Sequence, residues 1–216
     1  MIECDAATVP HDADAAKAQL RSQVLAERVE RAGAATADRP ARAHALAGLV
    51  LDLPEVTAAR TVGAYLSIGS EPPTTDLVAG LRSRGVRVMV PVVLPDRDLD
   101  WAEYDEPALI VAGLHRSVHP SGALLGPAAV SQADVLVVPA LAVDRAGHRL
   151  GRGGGSYDRA LDRARPDTVV VALIYEGELL DLVPTAPHDR PVHVAVTPSG
   201  VHRLRTLPGP GGLLDG

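Results

Sequence analysis

The chain has no phenylalanine, and four tyrosines and one tryptophan are the only large aromatics among its 216 residues. Its core must therefore be built from aliphatic side chains. Cysteine is nearly absent too: Cys4 stands alone, which excludes an internal disulfide and makes a reducing cytoplasm the natural compartment. Long apolar runs are missing. VVVALI and VLVVPALAV are too short to span a bilayer, so no membrane association is expected. The N-terminal stretch MIECDAATVPHDADAA is acidic and lacks the apolar segment of a signal peptide. A net charge of −6 with no basic tail argues against nucleic acid as a main partner. The scarcest charged residue is lysine. Of the 21 basic residues only Lys17 is a lysine, the other 20 being arginines.

What is present reads as one α/β unit. Residues 13–32 carry Ala16, Leu20 and Val24 on one helical stripe and meet Gly33 as a stop. Lys17 and Arg21 are four apart and project from one side of that helix, where a solvated cationic face is the plainest reading. A second helix is predicted over 39–52, with Asp38 to cap it and Pro40 in its first turn. Strand signals follow at 61–67 and 86–92 around a helix at 74–84 that ends on Gly85. Residues 98–105 suggest a more exposed strand, 106–113 a short helix, and 113–131 a long Gly/Pro/Ser-rich loop suited to covering a substrate.

The run ADVLVVPALAV (133–143) has the unbroken apolar character of a strand buried on both faces. Further on come a helix at 156–165, a buried strand at 168–175, a short helix at 176–183 and a last strand at 192–197. The expected fold is a single three-layer, Rossmann-like α/β domain over 13–205, with a largely parallel sheet and helices on both faces. Flexible ends are expected at 1–12 and 206–216.

The chemistry concentrates in RLGRGGGSYDR (149–159), where glycine fills every position from Gly151 to Gly155 except Arg152. The segment leaves a buried strand and enters a helix, which is where open α/β sheets bind ligands. Glycines let successive N–H groups converge on an anion, and the helix adds its positive end. Arg149, Arg152 and Arg159 supply full charges suited to phosphate oxygens. No Gly-Lys-Ser/Thr closes the segment as in a Walker A loop, and Ser156 stands where a dinucleotide fingerprint needs a glycine. A phosphate-binding loop is one reading and a ligand-free glycine turn the other. Asp158, in the first helical turn, is either a dipole-compensating carboxylate or a magnesium ligand beside phosphates. His188-Asp189 offers a second carboxylate in a turn-like setting.

These pieces, in this order, resemble the 5-formyltetrahydrofolate cyclo-ligase family. The likeness runs from about residue 14 to 205. It rests on Lys17 and Arg21 in a K-x-x-x-R helix, YLSIGSEPPTT (65–75), VPALAVDRAGHRLGRGGGSYDR (138–159), the His188-Asp189 pair and the closing VAVTPSGV. The resemblance implies an ATP- and Mg²⁺-dependent closure of 5-formyltetrahydrofolate to 5,10-methenyltetrahydrofolate, releasing ADP and phosphate, by a monomeric cytoplasmic enzyme. It assigns ATP contacts to Lys17, Arg21, Arg149, Leu150, Gly151, Arg152, Gly153, Gly154, Gly155, Ser156 and Tyr157, with Lys17, Arg149 and Arg152 as catalytic cations. It assigns the metal to Asp158 and Asp189, and folate to Leu66, Glu71 and Tyr157. Trp101 and Tyr65 are candidates for ring stacking, or else core residues. Two positions depart from the family pattern: Ser156 replaces a tyrosine, and His119-Pro120 replaces Glu-Pro. Other readings are an ATP-dependent enzyme on a related formamide or pterin, and a non-catalytic folate or nucleotide binder.

Overall fold

A computed structural model describes residues 10–34, 38–105, 110–112, 118–120 and 123–206. Its centre is a seven-stranded sheet in the order β12-β11-β9-β6-β1-β2-β3. The inner strands are β1 (Thr61–Ala64), β2 (Arg87–Val93), β6 (Val135–Pro139), β9 (Val169–Leu173) and β11 (Val194–Thr197). They run parallel to one another, whereas β3 (Leu99–Glu103) and β12 (Gly200–Arg203) close the two edges antiparallel. Period-two alternation of aliphatic residues gives the sheet two apolar faces. Val88, Val90, Val135, Val137, Val171 and Val196 share one buried cluster with α2 (Arg39–Leu51) and α4 (Thr75–Ser83). The alternate residues Met89, Leu136, Val138, Val170, Ala172 and Ala195 share the other with α5 (Ser156–Arg163) and the 3-10 helix Pro127–Gln132. The expected α/β fold, with a largely parallel sheet covered on both faces, is the fold observed.

A separate three-stranded sheet, β10-β7-β8, carries the long helix α1 (Pro10–Ala34). Leu20, Val24 and Leu25 of α1 pack against Leu141, Leu150, Leu180 and Val183. This sheet overturns two expectations. The run 133–143 is not one strand: it breaks after Pro139, and Ala142–Asp144 (β7) leaves the main sheet to pair with Arg149–Leu150 (β8). Residues 176–183 hold no helix; Leu179–Leu180 (β10) pairs parallel to β7, a tertiary ladder that overrides local helix propensity.

Elsewhere the differences are local. α1 starts at Pro10, where proline's fixed φ suits a first helical position, so 10–12 are helical rather than loose. Residues 110–112 form β4 (Ile110–Ala112), which pairs with β5 (Val118–Pro120) in place of the expected helix and loop; His119 sits in β5 opposite Val111. The rest of 106–122 and the terminal segments 1–9 and 207–216 lie outside the described residues. The strand at 98–105 is buried, not exposed, along Leu99–Ala102: Leu99 and Trp101 pack with Met89, Ala129, Val130 and Leu136, while Leu124–Leu125 bond along its edge. The short helix α3 (Pro54–Thr57) and the edge strand β12 were not foreseen.

Candidate active site

The sheet's topological switch point falls between β1 and β6, the neighbours from which the chain winds in opposite directions. A cleft of about 730 Å³ opens there, past the carboxyl ends of the strands. Tyr65 and Leu66 follow β1 into it, Pro91 and Val93 end β2, and Pro139 and Ala140 end β6. The glycine segment forms one wall, and Lys17 and Arg21 of α1 close over it. Of the site residues expected from sequence, all line this cleft except Trp101 and Arg159, whose guanidinium is turned to the Gly154 and Arg97 carbonyls. Trp101 is 1% exposed and lies in the core, so it cannot stack on a ligand in the cleft. Its ring takes the space beside Gly63: a Cβ there would sit 3.1 Å from Trp101 and 2.5 Å from Leu136, which requires the glycine in β1.

The glycine wall is shaped by arginines. Gly153 has φ +94°, a left-handed conformation that side chains avoid, and the Arg21 guanidinium lies 3.4 Å from where its Cβ would stand. Arg21 Nε donates to the Gly151 carbonyl at 2.9 Å, tying α1 to the segment. Among the described residues, the amides of Gly151 to Gly155 donate to no protein acceptor, which leaves a row of N–H groups open to an anion. Arg149 is buried at 7% exposure, and its Nε has no acceptor among the described residues. Such an orphan donor costs about 1–3 kcal/mol.

The expected metal carboxylates are already engaged. Asp158 accepts from Arg149 Nη2 at 2.8 Å and from the Arg190 amide at 3.2 Å. Asp189 accepts from the Lys17 ammonium and from the Ala186 amide. Burial alone would raise the Asp189 carboxyl, but the Lys17 and Ala186 hydrogen bonds outweigh it and hold the group below the usual carboxylate range. Lys17 itself is 4% exposed, so the solvated cationic face expected at that position is not what the fold makes of it. Among the described residues no group of three or more acidic, histidine or cysteine side chains forms a ready metal cage. Two carboxylates beside an anion loop nevertheless suit Mg²⁺, which takes few protein ligands and fills its shell with phosphate and water.

The opposite wall is mostly apolar, with Leu66, Ile68, Pro91, Val93 and Leu99, and it carries Glu71. Buried at 6% exposure, Glu71 accepts from the Ile68 amide at 2.9 Å and from Arg152 Nε at 3.2 Å. The loop that presents it is stitched by the Ser67 amide to Thr74 Oγ1 and by the Tyr65 hydroxyl to the Pro72 carbonyl. Burial, reinforced by the Glu71 charge, raises both the Tyr65 and the Tyr157 phenols, so both stay neutral. The Arg149 guanidinium stacks 5.9 Å from the Tyr157 ring centroid. Ser156 opens α5 and lines the cleft beside it.

Two cationic cleft residues escaped the sequence reading, Arg97 and Arg28. Arg28 is fully buried against Glu178, with Nε to Oε1 at 2.8 Å and Nη2 to Oε2 at 2.7 Å. The signal was in the spacing: Lys17, Arg21, Val24 and Arg28 recur at helical intervals, so they share one face of α1.

The architecture defines a class: a doubly wound α/β protein whose switch-point cleft holds a cationic, glycine-rich wall. Comparison with known proteins narrows it. The family model described as the 5-formyltetrahydrofolate cyclo-ligase family matches residues 13–198. A 5-formyltetrahydrofolate cyclo-ligase from Mycolicibacterium smegmatis is 39% identical over 195 residues, 88% of this chain and 97% of its own. One from Escherichia coli K12 is 32% identical, over 70% of this chain and 85% of its own. The NMR structure of Aquifex aeolicus 5,10-methenyltetrahydrofolate synthetase superimposes with a TM-score of 0.75 at 27% identity, covering 93% of this chain and 96% of that one. The chain belongs to the 5-formyltetrahydrofolate cyclo-ligase family, and it is a ligase of folate metabolism.

Proposed function

We propose that the protein converts 5-formyltetrahydrofolate to 5,10-methenyltetrahydrofolate in the cytoplasm, consuming ATP with Mg²⁺ and releasing ADP and phosphate. The observation that carries this beyond family membership is the two-sided cleft. Unpaired glycine amides with Arg149, Arg152, Lys17 and Arg21 face an apolar wall that ends on Glu71. One side suits a triphosphate and the other a flat, partly polar ring system.

The chemistry explains why both are needed. A formamide oxygen is a poor leaving group, so the γ-phosphoryl group of ATP is transferred to it and ADP departs. N10 of the folate then attacks the activated carbon, the C–O bond breaks, and phosphate leaves as N10 loses its proton. The protein's part is positioning and charge neutralisation. Arg149, Arg152 and Lys17 hold the transferred group, and Glu71 with Leu66 and the neutral Tyr157 hold the folate. Asp158 and Asp189 would hold Mg²⁺, which supplies charge neutralisation at the phosphates. For that, Lys17 and Arg149 must turn from these carboxylates toward phosphate oxygens, an exchange of partners that keeps every charge compensated.

The test is direct. The purified protein, mixed with 5-formyltetrahydrofolate and MgATP in mildly acidic buffer, should develop the near-ultraviolet absorbance of the methenyl product, with none in an ATP-free control. Growth of the band without ATP, or no band in any mixture, would overturn the proposal.

A further inference from the structure

At the cleft rim the hairpin joining β2 to β3 turns through Leu94-Pro95-Asp96-Arg97. The Arg97 amide donates to the Leu94 carbonyl at 2.9 Å, and the Leu94 amide donates to the Asp98 carbonyl at 2.9 Å. This is a tight turn followed by a bulge residue in the left-handed region, where glycine or asparagine is ordinary. Arginine fills that position with φ +65°, and it is the one non-glycine residue with positive φ among those described. A strained backbone at a cleft is an observation that points to use.

The surroundings indicate the use. The turn is rich in carboxylates, and each is engaged elsewhere. Asp96 accepts from the Asp98 amide, Asp98 pairs with Arg163 at 2.7 Å and Arg159 at 3.7 Å, and Asp100 accepts from the Trp101 and Gly126 amides. Arg97 is exposed, lines the cleft, and has no acidic partner among the described residues. Its backbone is not loose. Arg159 Nη2 donates to the Arg97 carbonyl at 2.6 Å while Nη1 reaches the Gly154 carbonyl at 3.4 Å, so the turn is pinned to the glycine wall. Pro91, Val93 and Leu99, from the two strands that this turn joins, line the same cleft and offer apolar surface suited to an aromatic ring. A ligand with a flat body lying on that face and a carboxylate beyond it would meet this guanidinium.

We propose that Arg97 is a specificity-determining residue that binds a carboxylate of the substrate's glutamyl tail, at the lip of the cleft. The assignment rests on the folate reading above. A guanidinium at a solvent-facing rim forms a charge-assisted pair of modest strength, so it sets affinity for the tailed substrate and leaves the reacting atoms untouched.

Steady-state kinetics and equilibrium dialysis would compare 5-formyltetrahydrofolate with 5-formyltetrahydropteroate, which lacks the glutamate, for wild type, Arg97→Gln, Arg97→Lys and Arg97→Gly. The wild type should favour the tailed ligand by about fivefold in KM and Kd, the scale of a partly exposed ion pair. Arg97→Gln should erase that preference by weakening only the tailed ligand, with the ATP KM unmoved, and Arg97→Lys should restore part of it. Arg97→Gly should lose the preference while melting at a higher temperature, since glycine relieves the left-handed position. Equal weakening of both ligands, a change in the ATP KM, or an intact preference in Arg97→Gln would overturn the tail assignment while the cyclo-ligase reading stands. A wild type that binds both folates but closes neither would sink that reading instead, and the dialysis comparison would still decide Arg97.

Discussion

Two ion pairs hang from the same face of α1, and they are built differently. At one end Arg28 meets Glu178 with both side chains 1% exposed, and the planar fork is bidentate. Its Nη2 also reaches the Ala140 carbonyl, and Glu178 accepts in addition from Arg31 and the Tyr175 amide. At the other end Lys17 meets Asp189, 13% exposed, through a single ammonium contact. An arginine fork with every acceptor matched is a fixed joint, whereas an ammonium on a flexible stem can change partner without losing its charge. The first pair fastens α1 to the body of the protein. The second, at the cleft, is the one suited to open when a triphosphate arrives. Under the proposed function, the lone lysine among 21 basic residues stands at the joint that moves.

The contrast can be broken, starting from the largest effect. Glu178→Ala should cost about 3–5 kcal/mol of stability, since it strands Arg28 as a buried, uncompensated charge. Urea denaturation would measure it, and a loss under 1 kcal/mol would mean that the pair is not the joint described. Lys17→Met should raise the KM for ATP by about tenfold or more, each tenfold being about 1.4 kcal/mol of lost binding. Its stability loss should be smaller than that of Glu178→Ala, because Asp189 keeps contact with water. Equal stability losses with unchanged ATP kinetics would make both pairs structural.

Asp158→Asn sharpens the same point at Arg149. Activity should need several-fold more Mg²⁺ for half-saturation while the melting temperature falls only modestly, because asparagine keeps an oxygen for Arg149 Nη2. A wild-type metal titration would leave Asp158 as a structural partner of Arg149, the Arg190 amide and the helix dipole. The smallest effect is in pH. Asp189 is held below its unfolded value of about 3.9, so its contribution is present above that pH and lost as pH falls through the lower, folded value. The stability difference between wild type and Asp189→Asn, about 1 kcal/mol near neutral pH, should therefore shrink below pH ~4. A difference that is constant across the acid range would show that the carboxylate is not held low.

Much of the molecule was legible because its signals are local. Unbroken apolar runs marked the buried strands, Gly85 marked the end of α4, and the glycine-arginine segment offered an anion-binding turn as one of its readings. What misled was context. Leu179–Leu180 became a strand because β7 offered a ladder, and Ala142–Asp144 left the main sheet for the same small sheet. Trp101 stood open between stacking on a ligand and packing in the core, and the space beside Gly63 and Leu136 placed it in the core. Arg97 gave no sign at all, since a left-handed arginine is invisible until φ is known.

The sequence by itself determined the layered α/β architecture, the position of the cationic glycine segment at a strand end, and the membership of Lys17 and Arg21 in one helical face. These follow from periodicity and residue type, which act over a few positions. Only the tertiary structure decided which charges meet. Lys17 and Asp189 are 172 residues apart, Arg28 and Glu178 150. Burial then makes such a pairing matter, because it removes the water that would otherwise screen both partners.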